Sequence, residues 1–175
     1  MKDQKDRKGM NNKGFSFVEL IIAIAILAIM AGVLAPQLIK YIDSSRKSTD
    51  VQNAQAIATA VNIALADEDA YKEAQERAKP GASPDHYVVS NLKSTSEDGD
   101  DFEVEVLEVL GATSGTNLAK PKYNASSNTS FIIVFKSSGS SLSFEIYPGA
   151  GDGSYTSDEG KNQLYPNVGT NYTDN

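Results

Sequence analysis

Glu19 is the residue in this chain whose position most needs a chemical reason. It stands directly before sixteen consecutive apolar or glycine residues, 20–35, and only four residues after Phe15. A carboxylate inside a membrane helix is costly, roughly 2.5–3.5 kcal/mol for comparable charges at the helix centre, and less near the end of the apolar run, where Glu19 lies. It calls for a cationic partner. If the chain were cut after Gly14, the new α-amino group of Phe15 would be such a partner, positive and equally misplaced in lipid.

The other reactive residue types are sparse. There is no cysteine, so disulfides, thiolate metal sites and thiol nucleophiles are excluded. His86 is the single histidine. It cannot build a multi-histidine metal site, and in its Pro-bounded polar context it reads as solvent-facing. No serine lies in a nucleophile-elbow context, and no phosphate-binding glycine loop follows a strand. No catalytic residue, cofactor or bound metal is expected. Two acidic clusters, Glu97-Asp98-Gly99-Asp100-Asp101 and Asp152-Gly153-Ser154 through Asp158-Glu159, offer hard oxygens on loops as Ca²⁺ prefers. Neither has the ligand spacing of an EF-hand, and both read as solvated turns. Asn128-Thr129-Ser130 and Asn171-Tyr172-Thr173 fit the glycosylation sequon.

The element that must position Glu19 is the apolar segment itself. Residues 15–36 form a 22-residue stretch, about 33 Å as a helix at ~1.5 Å per residue, against a hydrocarbon core of ~30 Å. Residues 1–14 carry Lys2, Lys5, Arg7, Lys8 and Lys13 against Asp3 and Asp6, a net +3; subtracted from the whole-chain −7 this leaves −10 for residues 15–175. The basic side stays cytoplasmic and residues 37–175 lie outside. A domain that acidic repels phosphate backbones and disfavours nonspecific nucleic-acid binding. Three simpler readings compete for the segment: a secretory signal peptide cut after Val33-Leu34-Ala35, a permanent single-pass anchor, and a buried core helix. The first leaves Pro36 after the cut and Glu19 unexplained, and the third conflicts with a segment that is apolar on every face.

The run Lys13-Gly14-Phe15-Ser16-Phe17-Val18-Glu19-Leu20 resembles the prepilin signature of type IV pilins and pseudopilins. The resemblance covers residues 13–36, with Ser16 where threonine is more usual and Pro36 where many pilins bend their helix. It implies a prepilin peptidase that cuts between Gly14 and Phe15 and N-methylates Phe15. It implies assembly through Glu19, and a helix break at Gly32 and Pro36. The partners implied are further copies in a helical filament, other pilins, and the assembly machinery of the cytoplasmic membrane. The chain would be a single-pass membrane protein before assembly and part of a surface pilus afterwards. Met10 offers a second start that leaves the cut unchanged. The missing C-terminal disulfide sets the chain apart from many Gram-negative pilins and suggests a Gram-positive, clostridial-type relative.

Beyond Pro36 the pattern turns amphipathic. Leu38, Ile39, Ile42, Val51, Ala54, Ile57, Ala58, Val61, Ala64 and Leu65 recur at helical steps, with Lys40, Arg46, Lys47, Asp50, Gln52 and Asn53 between them. The spacing predicts one helix reaching Ala78, stopped by Lys79-Pro80-Gly81. Phe102-Glu103-Val104-Glu105-Val106 alternates like a half-buried strand. The runs 131–135 and 142–146 predict two more strands, joined by a hairpin loop at 137–141. Segments 80–101, 111–130 and 148–175 read as loops. The expectation is an α+β fold: a basic leader, residues 1–14; a membrane and assembly helix, 15–36; and an extracytoplasmic domain, 37–175, of a long helix packed on a small antiparallel sheet. The functions that fit are a pilus subunit serving adhesion, motility or aggregation, a pseudopilin of a secretion or DNA-uptake system, and a membrane-tethered binding domain that never polymerises.

Overall fold

The structure is a computed structural model that describes residues 14–82, 85–95, 100–138 and 141–173. The basic leader through Lys13, Glu97-Asp98-Gly99 of the first acidic cluster, and the 139–140 tip of the expected hairpin lie outside the described residues. The chain divides into two compact units, one ending at Ile39 and one beginning at Lys40.

The first unit is the apolar part of α1 (Phe17–Ala64). Its Leu, Ala, Ile and Met residues are good or tolerable helix formers, and no polar group interrupts them between Glu19 and Pro36. Residues 14–39 are exposed all round. A helix apolar on every face requires an apolar surround, and by length and composition α1 can cross a membrane. Gly32 and Pro36 both lie within α1.

In the second unit the last turns of α1 bury Ala54, Ile57, Ala58, Ala60, Val61 and Ala64. Four of these are alanines, and their small side chains leave room for aromatic residues in the same core. The helix does not continue to Ala78. It ends at Ala64, and α2 (Glu68–Arg77) starts afresh, with the Asp67 side chain accepting hydrogen bonds from the amides of Asp69 and Ala70. An aspartate cap satisfies donors that a continuing helix would have paired internally, so it favours a new helix start.

A three-stranded antiparallel sheet has the order β1 (His86–Val88), β2 (Ser130–Ser138), β3 (Ser141–Gly149). The α+β class expected from the sequence is what the structure has. The identity of one strand differs: residues 102–106 belong to a helix, α3 (Asp101–Val109), and the third strand is instead β1, inside a segment read as loop. Phe102, Val106 and Leu107 are the buried residues of α3. That is helical spacing, and the five-residue alternation was too short to distinguish it from a strand. β2 and β3 also run further than their apolar centres, pairing Ser137 with Leu142 and Ser138 with Ser141.

β2 is central, and both of its faces are covered. Phe131, Ile133 and Phe135 join α1, α2 and α3 in the main core, where the Phe102 ring lies 4.5 Å from Tyr87 and 5.3 Å from Phe135. Ile132, Val134 and Tyr147 form a smaller cluster on the other face, lidded by Val88 and Tyr155. This explains the unbroken apolar run of β2, which a sheet solvated on one side would not need. The segment after β3 returns to pair with the sheet at Leu164-Tyr165, where the Leu164 amide donates to the Ile146 carbonyl at 2.8 Å. It ends in α4 (Thr170–Thr173), whose Tyr172 packs edge-on against Tyr123.

The core of the second unit is formed entirely by residues after Lys40. A fragment beginning at Gln37 is therefore expected to unfold cooperatively in detergent-free buffer, as followed by circular dichroism. Persistent aggregation of that fragment, or a melt without a sigmoidal transition, would contradict this.

Candidate functional site

Ser16 precedes the first helical residue, and its hydroxyl accepts from the Val18 amide at 3.4 Å. The Glu19 carboxylate reaches back to accept from the Ser16 amide at 2.8 Å. This reciprocal pair is a capping box, the S-x-x-E pattern at a helix start. The sequence reading placed Glu19 in the apolar segment but missed this local role, although Ser16 and Glu19 at that spacing carry the signal. A carboxylate in the first turn also sits favourably at the positive end of the helix dipole. Gly14 and Phe15 precede the helix and are exposed, Phe15 at 93%. Gly14 contributes no side chain, and among the described residues beyond its chain neighbours nothing lies within 4 Å of where a Cβ would stand.

The second unit holds two polar constellations. Asp50, wholly buried within α1, accepts from the amides of Lys122 at 2.7 Å and Tyr123 at 2.9 Å. Asp50 is thus part of the packed face of α1, where it fastens a distant loop. Burial pushes its carboxyl up, against the pull of the two amide donors and the Lys122 charge. The second constellation joins α2 to the start of α3. Arg77 pairs with Asp100 at 2.7 Å, the Tyr87 hydroxyl donates to the same oxygen at 2.9 Å, and the guanidinium lies 3.9 Å over the Tyr87 ring.

At Asp100, partial burial acts to raise the carboxyl, but the hydrogen bonds from Arg77 and Tyr87 and the Arg77 charge outweigh it and hold it below the usual carboxylate range. A carboxylate lowered on folding contributes stability that is present above its unfolded value, about 3.9, and lost as pH falls through the folded one. The stability gap between the unaltered chain and Asp100→Asn is therefore expected to narrow on acidification from about pH 5 to about pH 2. Urea titrations at several pH values measure this, and a gap constant across the range would refute it.

The residues weighed as catalytic or metal-binding are dispersed. His86 sits on β1 with its side chain mostly covered, 2.8 Å from the Asp85 carboxylate and edge-on to Tyr155, rather than in a solvated loop. Gly153 passes over its imidazole at positive φ, where a Cβ would overlap the ring. Asp152 closes a local turn by accepting from the Ser154 amide and hydroxyl. Asp158 and Glu159 occupy left-handed backbone in a tight turn. Among the described residues no group of three or more His, Asp or Glu side chains could hold a metal ion. Asn128 donates to the Tyr123 carbonyl and Asn171 to the Asn162 side chain, so both sequon amides are engaged.

The profile of the family described as "Prokaryotic N-terminal methylation motif" matches residues 9–35. A "Prepilin peptidase-dependent protein A" of Clostridium perfringens is 31% identical over 118 residues, covering 66% of this chain and 69% of that protein. The "Type IV major pilin protein PilA" of Myxococcus xanthus is 34% identical over 62 residues, 35% of this chain and 28% of that one. No solved structure matches the chain significantly. The motif lies over Gly14, Phe15 and Glu19, and the first similarity extends well beyond it, so the chain belongs to the superfamily of type IV pilins and pseudopilins.

Proposed function

We propose that the chain is a type IV prepilin, cut by a prepilin peptidase between Gly14 and Phe15, N-methylated at Phe15 and assembled into a surface filament. The observation that carries this is the helix start: an exposed Gly14-Phe15 bond directly before an apolar span whose one acidic residue, Glu19, sits in its first turn. The chain acts as a structural subunit. Before assembly it sits in the cytoplasmic membrane with its N-terminus inside. Intact-mass and N-terminal peptide analysis of native protein is expected to find a chain starting at methylated Phe15. Electron microscopy is expected to find filaments that vanish when the chain is deleted. A mature chain beginning at Pro36, or one retaining Lys13-Gly14, would overturn the reading.

The same reading gives Gly32 and Pro36 a role. In a helix interior glycine costs about 1 and proline about 3 kcal/mol relative to alanine, and Pro36 has no amide hydrogen for the Gly32 carbonyl. Lipid penalises the unpaired carbonyl and favours keeping as much helix as the proline permits. Neighbouring subunits in the filament can offer those backbone groups polar partners that lipid lacks, so the helix is expected to open around residues 32–36. A filament map with unbroken helix through those residues would defeat this step.

A further inference from the structure

Charge in the second unit is segregated along the chain. Residues 67–108 hold thirteen acidic residues against four Lys and Arg. Residues 40–66 carry Lys40, Arg46 and Lys47 against Asp43 and the buried Asp50, and residues 111–130 add Lys120 and Lys122 with no acid. Two of these cations border one groove of about 230 Å³. Its wall on α1 is Tyr41, Ile42, Ser45, Arg46 and Thr49, and Lys122 closes the other side. Its floor is sticky: Tyr41 is 74% and Ile42 40% exposed. Among the described residues Arg46 pairs only with Asp43, a loose exposed contact at 3.5 Å that is worth little in water.

The complement of this groove is on α3. That helix carries four acidic residues and no Lys or Arg. Asp101, Glu105 and Glu108 recur at i, i+4 and i+7 and so form one stripe. Val109 beside it is 38% exposed. Among the described residues Glu105 and Glu108 have no cation paired with them.

We propose that the groove between Arg46 and Lys122 receives the Glu105–Glu108–Val109 edge of α3 from a second copy of this chain. The carboxylates meet Arg46 and Lys122, and Val109 covers Ile42 and Tyr41. The two surfaces are different, one set on α1 and Lys122 and the other on α3. From Arg46 to Ala64 the helix climbs about 27 Å at ~1.5 Å per residue. α2 begins four residues later, and α3 is fastened to it through Arg77–Asp100 and through Glu73, which accepts from the Phe102 amide. An interface between two different surfaces of the same chain is heterologous, and repeated without closure it propagates as a filament. The proposal rests on the filament reading above and adds a contact between globular units to it.

The test is a charge exchange in cells lacking the unaltered chain. Filaments sheared from the surface are quantified against the pool of cleaved chain in the membrane, which controls for folding and processing. Arg46→Glu with Lys122→Glu, and separately Glu105→Lys with Glu108→Lys, are each expected to lower filament yield about tenfold or more, since facing like charges are strongly disfavoured. All four together are expected to restore yield to within about threefold of the unaltered chain. Unchanged yield from either pair, or a combination no better than the pairs, overturns the proposal. If a reversed pair fails to accumulate in the membrane, Arg46→Gln with Lys122→Gln decides. Its filaments are expected to come apart at lower sodium chloride than unaltered ones, and equal salt resistance overturns the proposal. Normal filaments from a reversed chain that no longer binds phosphatidylglycerol vesicles would reassign the groove to a lipid surface. Absence of filaments from the unaltered chain would remove the filament reading itself, and this contact with it.

Discussion

Replacing Glu19 by glutamine is expected to leave the chain membrane-inserted and cleaved after Gly14, yet to reduce filaments at least tenfold. The size follows from the setting. Helices in a filament pack without water between them, and removing one partner of a buried ion pair costs about 3–5 kcal/mol by leaving the other charge uncompensated. In the proposed filament the stranded charge is the Phe15 amine that cleavage would create. Docked against Glu19 of a neighbouring subunit, that amine cancels two costs together and selects one axial offset. The attraction grows as the effective dielectric falls during docking. Within its own chain Glu19 accepts from the Ser16 amide, so a purely local role has to be separated from an intersubunit one. Glutamine does this, because its carbonyl still serves a capping box while the charge is gone. Normal filament yield from processed Glu19→Gln protein, with no unaltered copy present, would sink the pairing mechanism. Loss of processing would place Glu19 at the peptidase instead.

The N-terminal part of this chain was legible in its sequence because its signals are local and redundant. The 16-residue apolar run, the single carboxylate at its front and the basic residues behind it each constrain the same short stretch. The Ser16–Glu19 cap is equally local, its signal being the S-x-x-E spacing ahead of the apolar run. The globular unit was legible as a class and less so in its parts. Phe102-Glu103-Val104-Glu105-Val106 fits period two, yet Leu107 and Leu110 continue it at helical spacing, and the packing of Phe102 against Tyr87 and Phe135 decides the matter. The three residues of β1 carry no pattern of their own. They form a strand because the edge of β2 is there to pair His86 with Val134 and Val88 with Ile132. The break between α1 and α2 turns on one cap, Asp67, set in otherwise helix-compatible sequence. Asp50 stands on the same helical face as Ala54, Ile57, Val61 and Ala64, so its burial follows the spacing; the amides it serves, more than seventy residues away, leave no local signal.

Those two amide contacts make Asp50 a polar residue whose loss should markedly weaken the globular unit. Asp50→Ala removes the acceptor of two amides at once and leaves a gap beside α1. An unsatisfied partly buried donor costs about 1–3 kcal/mol, so the substitution is expected to destabilise the unit by about 3 kcal/mol and to lower Tm by ~10 °C for a domain of this size. Asp50→Asn keeps one acceptor and turns an NH₂ group toward the second amide, so roughly half the loss is expected. The Asp50 contacts hold Lys122 and Tyr123 to the helix, and Tyr123 carries Tyr172 of α4 against it. In the alanine variant the C-terminal helix and the 120–123 loop are therefore expected to lose hydrogen-exchange protection together, ahead of the sheet. Thermal melts of the unaltered and substituted chains, with exchange followed by mass spectrometry, measure both effects. A Tm for Asp50→Ala within two or so degrees of the unaltered value would mean that water replaces the carboxylate at both amides. In that case the loop is held by Tyr123 packing instead, and Tyr123→Ala becomes the substitution that should release it.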